Sequence, residues 1–459
     1  MMSDNEDQGG TEVRMDPFEK GIDRRDFLRV TAAAGAGLIL SPMALGQAGR
    51  NKSDDLNIAL LGSGAQGQVL LNACLKIPGI RFKAVCDIWT EYNQKRAARL
   101  LKKYGHDLNA YEDYREMLDR ESDLDAVIIA TPDFWHAEHT VACLKAGLHV
   151  YCEKEMSNTL EGARKIVQAA RQTGKLLQVG HQRRSNPRYH HCYKLLKDAK
   201  ILGRITTING QWNRSVQPDL GWPQKYAIDQ ATLEKYGYKS MSQYRNWRWY
   251  RQLGGGPIVD LGSHQIDIFN WFLDATPRSV MASGSRDYYD KKTHEWYDSV
   301  MAIYDYETRE GIVKAFYQTI GTNSSQGYYE SFMGEHGTLL ISEAAGRGGV
   351  YREPSAPDWD KWVKMDYLKA PVEPEPQTPA GAVLDVRETL APPMYELLVE
   401  LNDPYHMPHL ENFFDAIRGK ASLTCPPEVG YETAVAVLKV NQAVEAGSTL
   451  DFKPGEFRI

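Results

Sequence analysis

The chain has 459 residues, 42% of them hydrophobic and 25% charged, with a formal net charge of −6. That length is too great for one ordinary domain and predicts two domains plus a processed segment. Both signs of charge are mixed along the chain and no basic stripe follows the first fifty residues, which excludes nucleic acid as a partner.

Residues 21–40, GIDRRDFLRVTAAAGAGLIL, carry the first readable pattern. Arg24 and Arg25 precede Phe27, Leu28 and a weakly apolar run broken by glycines. The run is shorter than the ~20 residues that cross a bilayer, so no stable membrane span is expected. A charged start, a short apolar stretch and the small residues around Gly46-Gln47-Ala48 fit a leader instead. The paired arginines point to the twin-arginine (Tat) export machinery as a partner. Residues 1–50 are read as leader and linker, cleaved or kept as an anchor, and the remainder as periplasmic or otherwise exported. The six cysteines include no C-x-x-C pair. Histidines and cysteines do not cluster at ligand spacing, so no metal site is expected.

Leu56–Leu61 reads as a buried strand, followed by Gly62-Ser63-Gly64-Ala65-Gln66-Gly67 and a helical run from Gln68. This is G-x-G-x-x-G in the context it requires. Gly62 permits the tight turn, Gly64 lets a diphosphate approach the backbone, and Gly67 lets helix pack on strand. The helix N-terminus supplies free N–H groups to the phosphate. A second strand, Phe82–Cys86, ends in Asp87, whose carboxylate lies where it can accept both ribose hydroxyls. It would repel a 2′-phosphate, so the expected cofactor is NAD.

The alternation continues with a helix over 95–104, the all-apolar strand LDAVIIA (124–130) ending at Thr131-Pro132, and a helix from His136 capped by Gly147. A strand over 149–155, a helix over 160–173 and a closing strand over 175–181 follow. Residues 56–181 therefore read as a Rossmann domain, a doubly wound parallel sheet. Asp133 and His136 serve there as ligand contacts or as a helix cap and solvated face.

Two stretches carry chemistry beyond it. CEKEMSNT (152–159) sets Glu153 and Lys154 at a strand end, and GGGPIVDLGSHQIDIFNWFL (254–273) sets Asp260, His264 and Asp267 on one face of a helix. Oxidising an alcohol requires a proton to leave the hydroxyl as hydride leaves its carbon. A lysine beside a cationic nicotinamide can be pulled toward neutrality. Histidine already titrates near neutrality, and Asp260 is expected to orient His264 and stabilise its protonated form.

In this order the motifs resemble the glucose–fructose oxidoreductase, inositol dehydrogenase and rhizopine-catabolism (Gfo/Idh/MocA) superfamily, over about residues 56–280, with a looser fit through HLENFFDAIRGK (409–420) and the helical run 428–447. The resemblance implies an α/β protein: the Rossmann domain plus a C-terminal α/β domain, over 182–459, built on an open, mainly antiparallel sheet. It implies Lys154, Asp260 and His264 as catalytic and substrate-contacting residues. The cofactor contacts it implies are Gly62, Gly64, Ala65, Gln66, Gly67, Asp87, Thr131, Pro132, His136, Glu153, Lys154 and an arginine, Arg183 or Arg184, with Arg184 preferred. The usual motif is E-K-P, whereas this chain has Glu155 after Lys154, which adds a carboxylate on the nicotinamide side.

Residues 211–251 are dense in aromatics, Trp212, Trp222, Tyr226, Tyr236, Tyr238, Tyr244, Trp247, Trp249 and Tyr250 among them. They form a sugar platform, with Trp247 as substrate contact, or a loop held down by its own rings. Residues 352–395 are rich in proline and acid and read as a long surface excursion.

Free NAD is scarce outside the cytosol, so an exported enzyme of this kind needs its cofactor tightly bound. The expected function is an NAD-dependent oxidoreductase acting on a carbohydrate hydroxyl, as a homo-oligomer. A redox-cycle glycosidase, in which Glu155 or His181 could also serve, and a non-catalytic sugar-binding scaffold are the alternatives.

Overall fold

The computed structural model describes residues 55–344, 346–371 and 392–459. The predicted leader and the middle of the predicted excursion lie outside the described residues.

Six parallel strands form the first sheet, in the order β3-β2-β1-β4-β5-β6. They are β1 (Leu56–Leu61), β2 (Ile80–Cys86), β3 (Asn109–Tyr111), β4 (Ala126–Ile129), β5 (His149–Cys152) and β6 (Leu177–Val179). The apolar runs of β1 and β4 are almost wholly buried because helices cover both faces. These are α1 (Ala65–Cys74), α2 (Lys95–Lys103), α3 (Tyr114–Arg120), α4 (Asp133–Lys145) and α5 (Leu160–Thr173). The chain order reverses between β1 and β4, which opens the crevice at the carboxyl ends of the strands. The predicted strand over 149–155 stops at Cys152, so Glu153 and Lys154 stand just beyond the sheet.

After α6 (Pro187–Lys197) the chain builds a nine-stranded sheet, ordered β14-β13-β12-β11-β7-β10-β9-β8-β15. Its strands are β7 (Ile205–Asn213), β8 (Pro277–Ser285), β9 (Ser299–Thr308), β10 (Gly311–Ile320), β11 (Tyr328–Gly334), β12 (Gly337–Ile341), β13 (Gly348–Arg352), β14 (Met394–Tyr395) and β15 (Leu450–Asp451). Among the described residues of this sheet, only β7 and β10 pair in parallel. Between β7 and β8 lie two short helices, α7 (Gln230–Lys235) and α8 (Met241–Arg245), and the long α9 (Gly256–Leu273). Nearly all of α9 is buried, against β7, β10 and the last long helix.

Two expectations gain detail. The excursion over 352–395 is structured at both margins: a short helix, α10 (Asp360–Lys364), follows β13, and β14 pairs with β13 through Val350 and Tyr395. The segment read as one domain over 182–459 also sends a helix back to the first sheet. Helix α11 (Met407–Ile417) returns to the Rossmann sheet, where Leu410, Phe413 and Phe414 share a core with Ile58, Leu60, Phe82 and Tyr151. Helix α12 (Pro427–Ala446) packs against α9, β8 and α5, and so joins both sheets.

Candidate active site

The glycine loop is shaped by close approach. Gly62 has φ +89° and a Cβ there would stand 2.7 Å from the backbone of Ala130. A Cβ on Gly67 would stand 2.0 Å from the Gly62 carbonyl oxygen. At Gly64 the added atom would meet only Asn93 Nδ2, at 3.8 Å, so the space in front of that residue is open. No side chain caps α1, which leaves the N–H groups of Ala65, Gln66 and Gly67 for a ligand.

Asp87 ends β2 as predicted and is buried. Its Oδ2 accepts from Ser63 N (2.7 Å) and Ser63 Oγ (3.0 Å), and its Oδ1 accepts from Trp89 N (2.8 Å). Burial raises its pKa against these hydrogen bonds. The carboxylate therefore holds the glycine loop in register from the second strand.

At the end of β5, Glu153 Oε1 accepts from Gln66 Nε2 (3.1 Å), tying the two strand ends together. Lys154 Nζ donates to the carbonyl of Asp260 and approaches its Oδ1 at 3.3 Å. Arg248 Nε lies 3.2 Å from the same Oδ1. Burial pushes the Asp260 carboxyl up, but Lys154, Arg248 and Arg214 together outweigh it and hold it well below the usual carboxylate range. Asp260 is thus the anchor of Lys154 and Arg248. The expectation that it orients His264 is not met: no hydrogen bond joins them, because the two cations claim the carboxylate.

His264 is buried against Trp212, with ring centroids 5.3 Å apart, and Trp212 stacks on Tyr328 at 4.5 Å. Among the described residues its ring makes no hydrogen bond. Burial, then the charges of Lys154 and Arg183, hold its pKa well below the usual imidazole range. A neutral, unpaired imidazole next to an anchored ammonium is a proton acceptor beside a hydrogen-bond donor.

Other predicted residues hold the frame. Both ring nitrogens of His136 lie 2.7 Å from carbonyl oxygens, those of Glu155 and Thr131, so the ring braces the loops after β4 and β5. Thr131 Oγ1 meets His139 Nδ1 at 3.0 Å, and Pro132 is the N-cap of α4. Arg184 donates from Nε to both oxygens of Asp267 (2.8 and 2.9 Å), and Arg183 is enclosed by Glu330 and Glu343. Both guanidinium groups are largely buried and paired with these carboxylates. Glu155 is fully buried; its Oε1 accepts from Met156 N (2.8 Å) and its Oε2 has no protein partner. Burial first, then the charge of Asp133, pushes its pKa up to about 8. The Lys154–Glu155 peptide is cis.

Trp247 corrects the sequence reading. It is buried in the aromatic cluster of its own segment, and the ring that lines the cleft beside Asp260 is Trp249. The 3-10 turn Trp247–Trp249 sends alternate rings inward and outward.

Residues 56–181 match the oxidoreductase family with an NAD-binding Rossmann fold (Gfo/Idh/MocA), and residues 193–340 match the C-terminal domain of that family. The chain belongs to the Gfo/Idh/MocA family. It is 26% identical to an inositol 2-dehydrogenase of Rubrobacter xylanophilus over 303 residues, 65% of this chain and 74% of that one. It is 31% identical to a glycosyl hydrolase family 109 protein of a Shewanella species over 174 residues, 33% of this chain and 38% of that one. A levoglucosan dehydrogenase solved with NADH and L-sorbose shares the fold with a TM-score of 0.64 at 17% identity, over 87% of this chain and 99% of that one.

Residues 56–181 form an NAD-binding Rossmann domain, and the residues here fit that cofactor. The open space at Gly64, the uncapped start of α1 and the carboxylate of Asp87 supply room, donors and an acceptor. Sequence reading missed several neighbours of this site. Arg248 and Arg214 act on Asp260, and His406, just before α11, meets Gln66 Nε2 at 3.0 Å. His406 is 340 residues from Gln66, and no local pattern announces it.

Proposed function

We propose that the protein is an exported NAD-dependent oxidoreductase that takes hydride from the carbon bearing a secondary hydroxyl of a sugar or polyol, keeps its cofactor bound between turnovers and returns the hydride to the carbonyl of a second molecule. Bound NAD supplies the hydride acceptor. His264 accepts the hydroxyl proton: its ring is free of protein partners among the described residues and burial keeps it neutral. Lys154, fixed by Asp260, donates a hydrogen bond to the same oxygen and steadies the charge that develops on it.

One observation carries the retained cofactor. The aromatic segment between β7 and α9 packs onto the loops that follow β2 and β4, the rim of the cofactor crevice. Leu233, Tyr236, Tyr238, Met241 and Trp247 form one cluster with Trp89, flanked by Tyr92, Phe134 and Trp135. Trp89 Nε1 donates to the carbonyl of Tyr226 at 2.5 Å, and Asn93 Nδ2 meets Tyr244 Oη at 3.4 Å. A segment of the second domain thus straps the ribose end, where Asp87 lies. A twin-arginine signal at Arg24 and Arg25 would fit the same reading, since that route passes folded proteins with their cofactors inside.

The apolar face of Met281, Met301 and Ile303 on β8 and β9 is exposed and favours a homo-oligomer. The partial likeness to a glycosyl hydrolase family 109 protein keeps the redox-cycle glycosidase as the second reading.

The test is to denature purified mature protein and assay the released nucleotide. One NAD per chain is expected; NADP, or none, overturns the reading. A glycoside deuterated at the oxidised carbon then separates the two endings. Oxidoreductase action moves the label to a second molecule, and a glycosidase cycle returns it to the same carbon.

A further inference from the structure

Four arginines surround the junction of the two domains, and they are not balanced alike. Arg183 has two buried carboxylates and Arg184 has Asp267. Arg214 follows β7, lies half-buried over the ring of Trp212 (5.2 Å), and meets no carboxylate at ion-pair distance among the described residues. Arg248 is stacked on Trp247 (4.4 Å) with its side chain 45% exposed, and shares Asp260 with Lys154. Three cations therefore act on the Asp260 carboxylate, with Glu153 the further carboxylate that Arg248 senses. Asp133 is a weak counter-charge here: burial, then the charge of Asp260, pushes its carboxyl up to about 8.

Arg214 and Arg248 line one cleft of about 70 Å³, between Asp260 and the aromatic pair Trp249 and Tyr289. Those two rings stand 5.2 Å apart, and Tyr289 is fixed by its bond to the carbonyl of Gly321. The space suits a small charged substituent and not a whole sugar ring. A half-buried guanidinium such as Arg214 without an anion is costly, and a guanidinium fork matches the planar geometry of a carboxylate.

Building on the carbohydrate oxidoreductase reading, we propose that the substrate is an acidic sugar whose carboxylate is held by Arg214 and Arg248 in the cleft against Trp249 and Tyr289, while Lys154 and His264 act on a ring hydroxyl. The arginines set specificity, and the anion completes the charge balance around Asp260.

The test uses the NAD-loaded protein and matched methyl glycosides that differ only at C6: glucoside and glucuronide, galactoside and galacturonide, mannoside and mannuronide. Calorimetric Kd values are compared within each pair. At least one uronide is expected to bind about tenfold to a hundredfold more tightly than its neutral partner, the range for hydrogen bonds to a charged group. Arg214→Gln brings that ratio down toward one, and Arg214→Lys, which keeps charge but loses the fork, leaves it in between. NAD content of each variant reports that the fold is intact. Equal or weaker binding of every uronide overturns the proposal, as does a ratio that survives Arg214→Gln. Tighter binding of the corresponding sugar 6-phosphates overturns the carboxylate assignment. Failure of every sugar to bind or to reduce bound NAD, with NAD present, overturns the carbohydrate reading on which the proposal rests, and the proposal with it.

Discussion

The two halves of this site are built by different means. On the cofactor side, backbone does the work: glycines that admit close approach, an uncapped helix start, and one carboxylate that pins the loop. On the substrate side, side chains from distant segments are balanced against one another. Lys154 and Asp260 come from positions 106 residues apart, and His264 is set by Trp212 from a third element. A backbone device tolerates no added atom, whereas a charge cluster tolerates exchange of shape but not of charge.

The largest effect is expected on the substrate side. Lys154→Ala and His264→Ala should each slow reduction of bound NAD by ~10²–10⁴-fold, the usual worth of acid–base help. NAD content should stay as in wild type, because neither side chain shapes the glycine loop. Single-turnover absorbance of the reduced nicotinamide reads this, and a loss below threefold would remove that residue from the chemistry.

The next effect concerns Glu155, on the seam between the halves. Its folded pKa of about 8 lies above the unfolded value near 4.5. Between these values the folded chain holds a proton that the unfolded chain has released, so stability falls as pH rises through the window and levels off above it. The slope from this group is up to ~1.4 kcal/mol per pH unit. Glu155→Gln removes that dependence. Its stability relative to wild type should therefore rise from pH 4.5 to pH 8, measured by denaturant unfolding. A difference independent of pH would mean that Glu155 is ionised in the fold, paired with Lys154.

A third pair of substitutions probes the backbone device. Gly67→Ala puts a Cβ 2.0 Å from a carbonyl oxygen that cannot step aside, and should cost ~1–3 kcal/mol together with NAD. Gly64→Ala meets only Asn93 at 3.8 Å, so it should keep its thermal stability and still lose NAD, because the methyl occupies the path of the diphosphate. If both variants retained NAD equally, the glycine loop would not be the diphosphate site.

The same contrast explains what the sequence makes legible. The Rossmann half was readable because backbone requirements print themselves locally: Gly62, Gly64 and Gly67 at fixed spacing, Asp87 at the next strand end, Glu153 and Lys154 at another. The mainly antiparallel second sheet followed from the family resemblance. Partner choice was not readable. Asp260 and His264 share a helix face, yet Asp260 serves Lys154 and Arg248, because a buried carboxylate goes to the nearest cations and not to the nearest residue in the chain. Arg184 went to Asp267 for the same reason. Helix α11 returned to the first sheet because Leu410, Phe413 and Phe414 needed an apolar face that local spacing does not name.

The smallest expected effect bears on the strap, where the two halves meet. Trp89 belongs to the Rossmann half and Tyr226 to the aromatic segment, and one hydrogen bond from Nε1 joins them. Trp89→Phe removes that donor and leaves an aromatic ring in the cluster, so the core of Tyr238, Met241 and Trp247 persists. A typical internal hydrogen bond contributes ~1 kcal/mol. If the strap must lift before NAD leaves, and the bond is lost in the lifted state, release should quicken by about fivefold with little change in thermal stability. Release is read by trapping dissociated NAD with an excess of a coupled dehydrogenase. The ring pair Trp89 and Tyr244, 5.7 Å apart edge to face, gives an independent handle: Tyr244→Leu should quicken release in the same direction. Unchanged release in both variants would mean that NAD leaves without the strap moving, and the retained cofactor would then rest on the glycine loop alone.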